Sequence, residues 1–338
     1  MDLEEYLESE KKKNLQAGFL FFCMMLIHVV AGYCAPAIVY EKVAYNILYS
    51  QGLIIVPVIC FFIFIKKNPL KYIHIKKING VSVILLIVLT YCMLPLMSLI
   101  NLFSMLFVKN HTTELVNNSV TSYGLIGSAL LFALTPALVE EIAYRGVFYQ
   151  SARGKRPIRA MIVSGLLFGA MHMNFNQILY ACVMGVIFAI VIEATDSLVS
   201  TMIMHFVFNF NSVFLLWVLN KIMNSEFYKK MMELNGEQDI MAEVAETEIN
   251  IGTIASCAFM AAIGLLVGYF VLKGIAKLNG RQEHLTTLFA RKNKDDSQKT
   301  EENPDEEEPK TKIWNIWYTL GILICVAMAI LQEIASRI

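Results

Sequence analysis

The sequence predicts an all-α fold, a polytopic transmembrane helical bundle of about eight to nine helices. Of 338 residues, 57% are hydrophobic and only 17% charged, against about 25% charged in an ordinary soluble chain. The apolar residues also gather into runs of roughly 18–30 residues, long enough at ~1.5 Å per helical residue to cross a hydrocarbon layer about 30 Å thick. The basic residues give an orientation. With a cytoplasmic N-terminus and nine crossings, 22 of the 28 Lys and Arg residues fall in inner segments, which is the bias of the positive-inside rule. An eight-helix reading would break the alternation at one of the basic loops.

Taken in order, runs 15–39, 45–65 and 80–108 make an N-terminal set of about three helices within residues 1–122. The first run is longer than the apolar core of a signal peptide and follows polar residues of mixed charge, so it is expected to stay as an anchor. Runs 123–152, 158–175, 177–194 and 197–219 form a central helical core, residues 123–219. Residues 220–252 are expected as an outer loop, with Phe227, Met231, Met232 and Leu234 at amphipathic spacing. A further transmembrane helix occupies 253–278. Residues 279–312 read as a charged cytoplasmic linker, and 313–338 as a C-terminal transmembrane helix. From Lys292 to Lys312 the linker has no aliphatic or aromatic residue, so burial cannot offset its ordering entropy and it is expected to be disordered.

Several classes are disfavoured. Net charge is zero, which leaves no electrostatic case for a nucleic-acid partner. The cysteines (Cys23, Cys34, Cys60, Cys92, Cys182, Cys257 and Cys325) all lie in apolar runs, and none forms a C-x-x-C pair. Neither a disulfide scaffold nor a thiolate zinc site is indicated. No internal repeat is evident, which weakens a transporter reading.

Ionisable residues inside membrane helices are costly and usually face a bundle interior or a watery cavity. Here they concentrate in three places. Glu140, Glu141 and Arg145 come first; Glu141 and Arg145 share a helix face and can pair, while Glu140 points about 100° away and is free for proton transfer. Phe168 and His172 share a face of the next helix. His205 and Asn209 present an imidazole and an amide to one side of a later helix. Taken singly, the first group has surface glutamates as its plainer alternative, and the others hydrogen-bonded packing residues. Their depths argue otherwise. Counted from the expected cytosolic edge, Glu140 lies about 18 Å in, His172 about 20 Å, His205 about 12 Å and Asn209 about 18 Å. Packing alone does not predict that separate segments deliver a carboxylate, two imidazoles and an amide to similar depth. Glu193 and Asp196 are expected as solvated caps of a short cytosolic turn, and Asn174 and Asn176 as the outer turn after the fifth run.

In order, E-E-x-x-x-R, F-x-x-x-H and H-x-x-x-N resemble the CAAX-protease and bacteriocin-processing (Abi) family of intramembrane proteases. The resemblance covers about residues 123–219. It implies that Glu140 activates a water with help from His172. Glu141, tied to Arg145, would orient the site, and His205 with Asn209 would polarise the scissile carbonyl and stabilise its oxyanion. A Zn²⁺ held by the imidazoles and a carboxylate and a metal-free glutamate mechanism both stay open, since the chain has no H-E-x-x-H zinc-protease helix. Expected partners are membrane lipid and a peptide or protein substrate; relatives act on prenylated tails, peptide pheromones or bacteriocin-related targets. The alternatives are a non-catalytic scaffold or immunity protein of the same fold, and a transporter with a proton relay. The site is expected in a cytosol-facing cavity, cutting just below the inner surface.

Overall fold

The computed structural model describes residues 3–110, 112–154, 157–234, 250–290 and 313–337. Among them the chain is helical throughout, with no strand. Eight helices are long and apolar enough to cross a membrane, and one shorter apolar helix, Pro157–Ala170, accompanies them. The protein is therefore a multi-pass membrane bundle, as the apolar runs predict.

The N-terminal helices are α1 (Leu3–Tyr33), the short α2 (Ala37–Glu41), α3 (Val43–Ile65), a single turn α4 (Pro69–Tyr72) and α5 (Gly80–Met105). The next membrane passage is longer than the sequence suggests and is not one regular helix. It begins with α6 (Thr112–Ser128), so residues 112–122, which fall outside the fourth apolar run, are already helical. Gly124 breaks it at φ 65°, ψ −170°, a conformation a β-carbon would strain. Two π-helical stretches, Ala129–Leu134 and Ile142–Tyr149, then bracket α7 (Thr135–Glu141), and α8 (Gln150–Arg153) closes the passage. The i→i+5 turns of a π-helix shift the direction of successive side chains and recur at functional sites. Here they flank Glu140 and Glu141.

The remaining helices are α9 (Pro157–Ala170), α10 (Phe175–Thr195), α11 (Leu198–Met223), α12 (Glu226–Leu234), α13 (Ile251–Leu278), α14 (Gln282–Phe289) and α15 (Ile316–Ala335). The short α14 falls within the stretch expected to be an unstructured linker. Residues 291–312, which carry the acidic run, lie outside the described residues. Asn174 and Asn176 make the turn into α10 as expected, Asn174 Oδ1 accepting from the Asn176 amide at 2.9 Å.

α10 is the hub of the bundle. It is 56% buried along its apolar window, where the other long helices range from 17% to 33%. It crosses α9 at close range because both contribute glycine: a β-carbon on Gly165 would sit 2.7 Å from the Cys182 carbonyl, and one on Gly185 2.7 Å from the Gly165 Cα. Small residues at such a crossing let the backbones pack directly, which substitutes for the hydrophobic force that lipid does not supply. α13 lies along α5, with Gly264 and Gly268 against Cys92 and Met93. α15 lies along α1, where Phe19 and Phe22 meet Trp317 and Phe21 meets Tyr318.

The loops sort into two ends. At one, Tyr72 bonds Ser151 at 2.7 Å, Ser197 donates to the Lys76 carbonyl at 2.6 Å, and Asn279 donates to Ser82 at 3.0 Å. At the other, Asn176 donates to Asn101 at 3.0 Å, Gln177 to Thr112 at 2.7 Å and Asn220 to Asn117 at 2.9 Å. The first end holds the loops rich in Lys and Arg and is called the basic end below. Arg145, grouped by sequence with those loops, is instead fully buried inside the bundle.

Glu193 departs most from expectation. It is not a solvated cap: its carboxylate is fully buried and accepts from Tyr149 Oη at 2.6 Å, Arg153 Nη2 at 2.8 Å and His284 Nε2 at 2.5 Å. Arg281 adds a bond from Nε to the Glu193 carbonyl at 3.1 Å. These partners come from the second π-helical stretch, α8, α14 and its preceding turn, far apart in sequence, so local spacing carries no sign of them. Asp196 is partly exposed and pairs with Lys76, with His74 at 3.4 Å and Arg153 at 3.7 Å. Burial opposes its charge, but Lys76 and Arg153, with His74 beside them, outweigh burial and hold its carboxyl below the usual aspartate range.

Candidate active site

Glu140 and Glu141 close α7, and both are buried. Glu141 Oε1 accepts from Arg145 Nη1 at 3.0 Å, the pairing the four-residue spacing predicts, across the junction into the second π-helical stretch. The same oxygen accepts from His205 Nδ1 at 2.9 Å. Arg145 has no exposed surface, and its guanidinium lies over the Phe168 ring at 4.0 Å and the Phe188 ring at 5.0 Å. A desolvated guanidinium between two π faces is favoured by their quadrupoles. The Glu141–Arg145 pair thus fixes the backs of three helices rather than facing the cavity.

Glu140 faces the other way. Its Oε1 accepts from Gln51 Nε2 of α3 at 2.8 Å, and its Oε2 lies 3.9 Å from His205 Nε2. The sequence reading, which assigned Glu140 no helical partner, missed Gln51 because the two are 89 residues apart. A signal existed: Gln51 is a lone side-chain amide in the middle of an apolar run, where a polar group needs a partner.

His172 sits in the turn after α9. Its Nδ1 is 2.9 Å from the Phe168 carbonyl, which can only accept, so Nδ1 carries the proton and Nε2 presents its lone pair. His205 is oriented the same way, Nδ1–H to Glu141. Phe168 stands perpendicular to both imidazoles, with ring centroids at 5.2 Å from His172 and 5.8 Å from His205. Phe188 touches His205 from the far side at 5.7 Å. Phe188 lies outside the three motifs, and an isolated Phe in an apolar run gives no sequence signal.

One cavity of about 400 Å³ gathers Glu140, His172, His205 and Asn209, together with Gln51, Tyr180 and Ser212. The six residues singled out from sequence therefore divide into four that line this cavity and two, Glu141 and Arg145, that sit behind it. Asn211 lines an adjoining chamber of about 310 Å³ that also contains Asn101 and Asn176.

The mouth is not where the sequence placed it. The cavity is walled by Asn46, Thr112, Asn174, Gln177 and Gln332, all at the end opposite the basic loops. The reason lies in α9. Its 14 residues span about 21 Å, short of a hydrocarbon layer of about 30 Å. The turn that carries His172 therefore lies below the surface and leaves a recess open to that side.

Among the described residues, no three His, Cys, Asp or Glu side chains converge as a metal site would require. Each imidazole has Nδ1 engaged and presents Nε2, an arrangement that suits a metal ligand and a hydrogen-bond acceptor for water alike, while Glu140 Oε1 is held by Gln51.

The described site is thus a buried carboxylate and two imidazoles round a polar recess within a membrane bundle. Residues 122–211, about a quarter of the chain, match the family model described as type II CAAX prenyl endopeptidase, Rce1-like. The match spans all three motifs and leaves out α1 to α5, α13 and α15. No curated protein and no solved structure matches the chain.

Proposed function

We propose that this protein is an intramembrane endopeptidase that cleaves a membrane-associated peptide or protein tail with a glutamate-activated water. The observation that supports this most is the convergence of Glu140, His172, His205 and Asn209 on one recess from three separate helical segments. With the basic loops cytoplasmic and the N-terminus inside, as the positive-inside rule favours, the recess opens toward the outer side. A substrate would reach it from there or laterally from the outer leaflet.

In this reading Glu140 takes a proton from a water that also donates to the His172 Nε2 lone pair, and the hydroxide attacks the scissile carbonyl. The bond to Gln51 holds Oε1, leaving Oε2 to face the water. Asn209 donates through Nδ2 to the developing oxyanion. His205 can add a second donation only when its Nε2 is protonated, because Nδ1–H is engaged by Glu141. Glu140 then passes its proton to the departing amine, which completes general acid–base catalysis by one group. Glu141 and Arg145 are positioning residues, acting through His205 and the aromatic pair Phe168 and Phe188.

The test is cleavage in proteoliposomes of a leader-bearing pheromone precursor and a prenylated tail, each with and without a chelator. Glu140→Gln should reduce kcat by about 10²–10⁴-fold, the usual size of a general-base contribution, with helicity and melting temperature retained. Cleavage that survives both Glu140→Gln and His172→Ala would overturn the assignment.

A further inference from the structure

A second cavity lies on the lipid-facing side of the bundle, between α1 and α3. It is the larger, about 710 Å³, and is lined by Gln16, Phe19, Cys23 and Ile27 from α1, with Gly52, Val56, Cys60 and Phe64 among those from α3. Nearly every lining atom is apolar. Catalysis makes no use of it: α3 turns Gln51 toward Glu140 and its neighbours outward to this groove.

The groove is long enough for an acyl chain. Its α1 wall rises about 16 Å from Gln16 to Ile27 and its α3 wall about 24 Å from Phe64 to Leu48, most of a hydrocarbon layer of about 30 Å. It starts at the basic end. Its chemistry changes at that start. Lys12 stands one helical turn before Gln16 on the same α1 face, and Lys66 and Lys67 follow directly on Ile65, the last residue of α3. All three are exposed and form no ion pair among the described residues, whereas the neighbouring Lys13 is taken up by Glu10 at 2.6 Å. Glu8 lies a further turn from the membrane. The lysines are thus the charges nearest the headgroup level, where each attracts an anionic lipid.

We infer that the α1–α3 groove is a binding site for one anionic phospholipid of the leaflet at the basic end, with an acyl chain in the groove and its phosphate between Lys12 and the Lys66–Lys67 pair. The apolar lining accounts for chain binding and the lysines for headgroup selection. The site is independent of the proteolytic reading, although its α3 wall also carries Gln51.

Native mass spectrometry and thermal melting of the full chain, delipidated in dodecyl maltoside, test this directly. Dioleoylphosphatidylglycerol and dioleoylphosphatidylcholine share acyl chains and differ in headgroup. The expected result is one retained phosphatidylglycerol per chain and a larger rise in melting temperature than phosphatidylcholine produces. Lys12→Gln, Lys66→Gln and Lys67→Gln together should erase that preference, lowering phosphatidylglycerol affinity by about fivefold per charge removed. Gly52→Phe should abolish the adduct with either lipid, since a β-carbon there meets nothing within 4 Å and the ring would fill the groove. Cys60→Phe fills the same groove independently, so a folding defect in one variant is recognisable. Equal retention of both lipids would overturn the inference, as would an adduct indifferent to either filling. A dimer that Gly52→Phe dissociates would assign the groove to a second copy instead.

Discussion

Gln51 shows how much a single side chain outside the motifs can matter. It donates to Glu140 at 2.8 Å from a helix that the family match does not include. Replacing it with Leu leaves a buried carboxylate oxygen without its donor, and a hydrogen bond to a charged group is worth about 1.5–3 kcal/mol. Gln51→Leu should therefore lower kcat tenfold or more with KM little changed, as steady-state kinetics would show. A rise in KM alone would instead place Gln51 in substrate binding. At the basic end, Asp196 makes a different prediction. Its folded pKa is depressed, so its stabilisation is present in full above the unfolded value of about 3.9 and is lost as pH falls toward the folded value. Melting curves of wild type and Asp196→Asn should differ at pH 6 and converge as pH drops through and below the ordinary aspartate range.

At the scale of the element, the crossing of α9 and α10 sets the site. α9 brings Phe168 and ends just before His172, while α10 brings Phe188. Gly165 and Gly185 let the two helices approach closely enough for both rings to reach Arg145 and His205. Gly165→Leu would overpack this contact, at a cost of about 1–3 kcal/mol, and should lower the melting temperature by several degrees and reduce activity with it. Activity at wild-type level despite the lower melting point would show that the crossing does not govern the site. The π-helical stretches act at the same scale. They bracket α7, on which adjacent positions about 100° apart turn Glu141 to Arg145 and His205 and Glu140 to Gln51 and the recess.

For the whole molecule, the orientation in the membrane decides where cleavage occurs. The basic loops and the recess lie at opposite ends, so a cytoplasmic N-terminus places the mouth outside. In a cysteine-free background made by replacing all seven native cysteines, Asn174→Cys should react with a membrane-impermeant maleimide in intact cells and Lys76→Cys should not. The reverse pattern would invert the topology and put the recess on the cytosolic side.

The primary structure alone determined the membrane class and the order of the helices and singled out the candidate residues, because each depends on local properties: run length, charge count and the four-residue spacing that aligns Glu141 with Arg145 and His205 with Asn209. Counting residues from the loops also gave an expected depth for the candidate residues. Tertiary packing alone decided which partners these groups meet. Gln51, Phe188 and the cations around Glu193 come from distant segments, and no local pattern records a contact across 40 to 90 residues. The side from which the recess opens was decided in the same way. It follows from a 14-residue helix ending below the surface, where the neighbouring helix ends, and not the motif spacing, leave room for water.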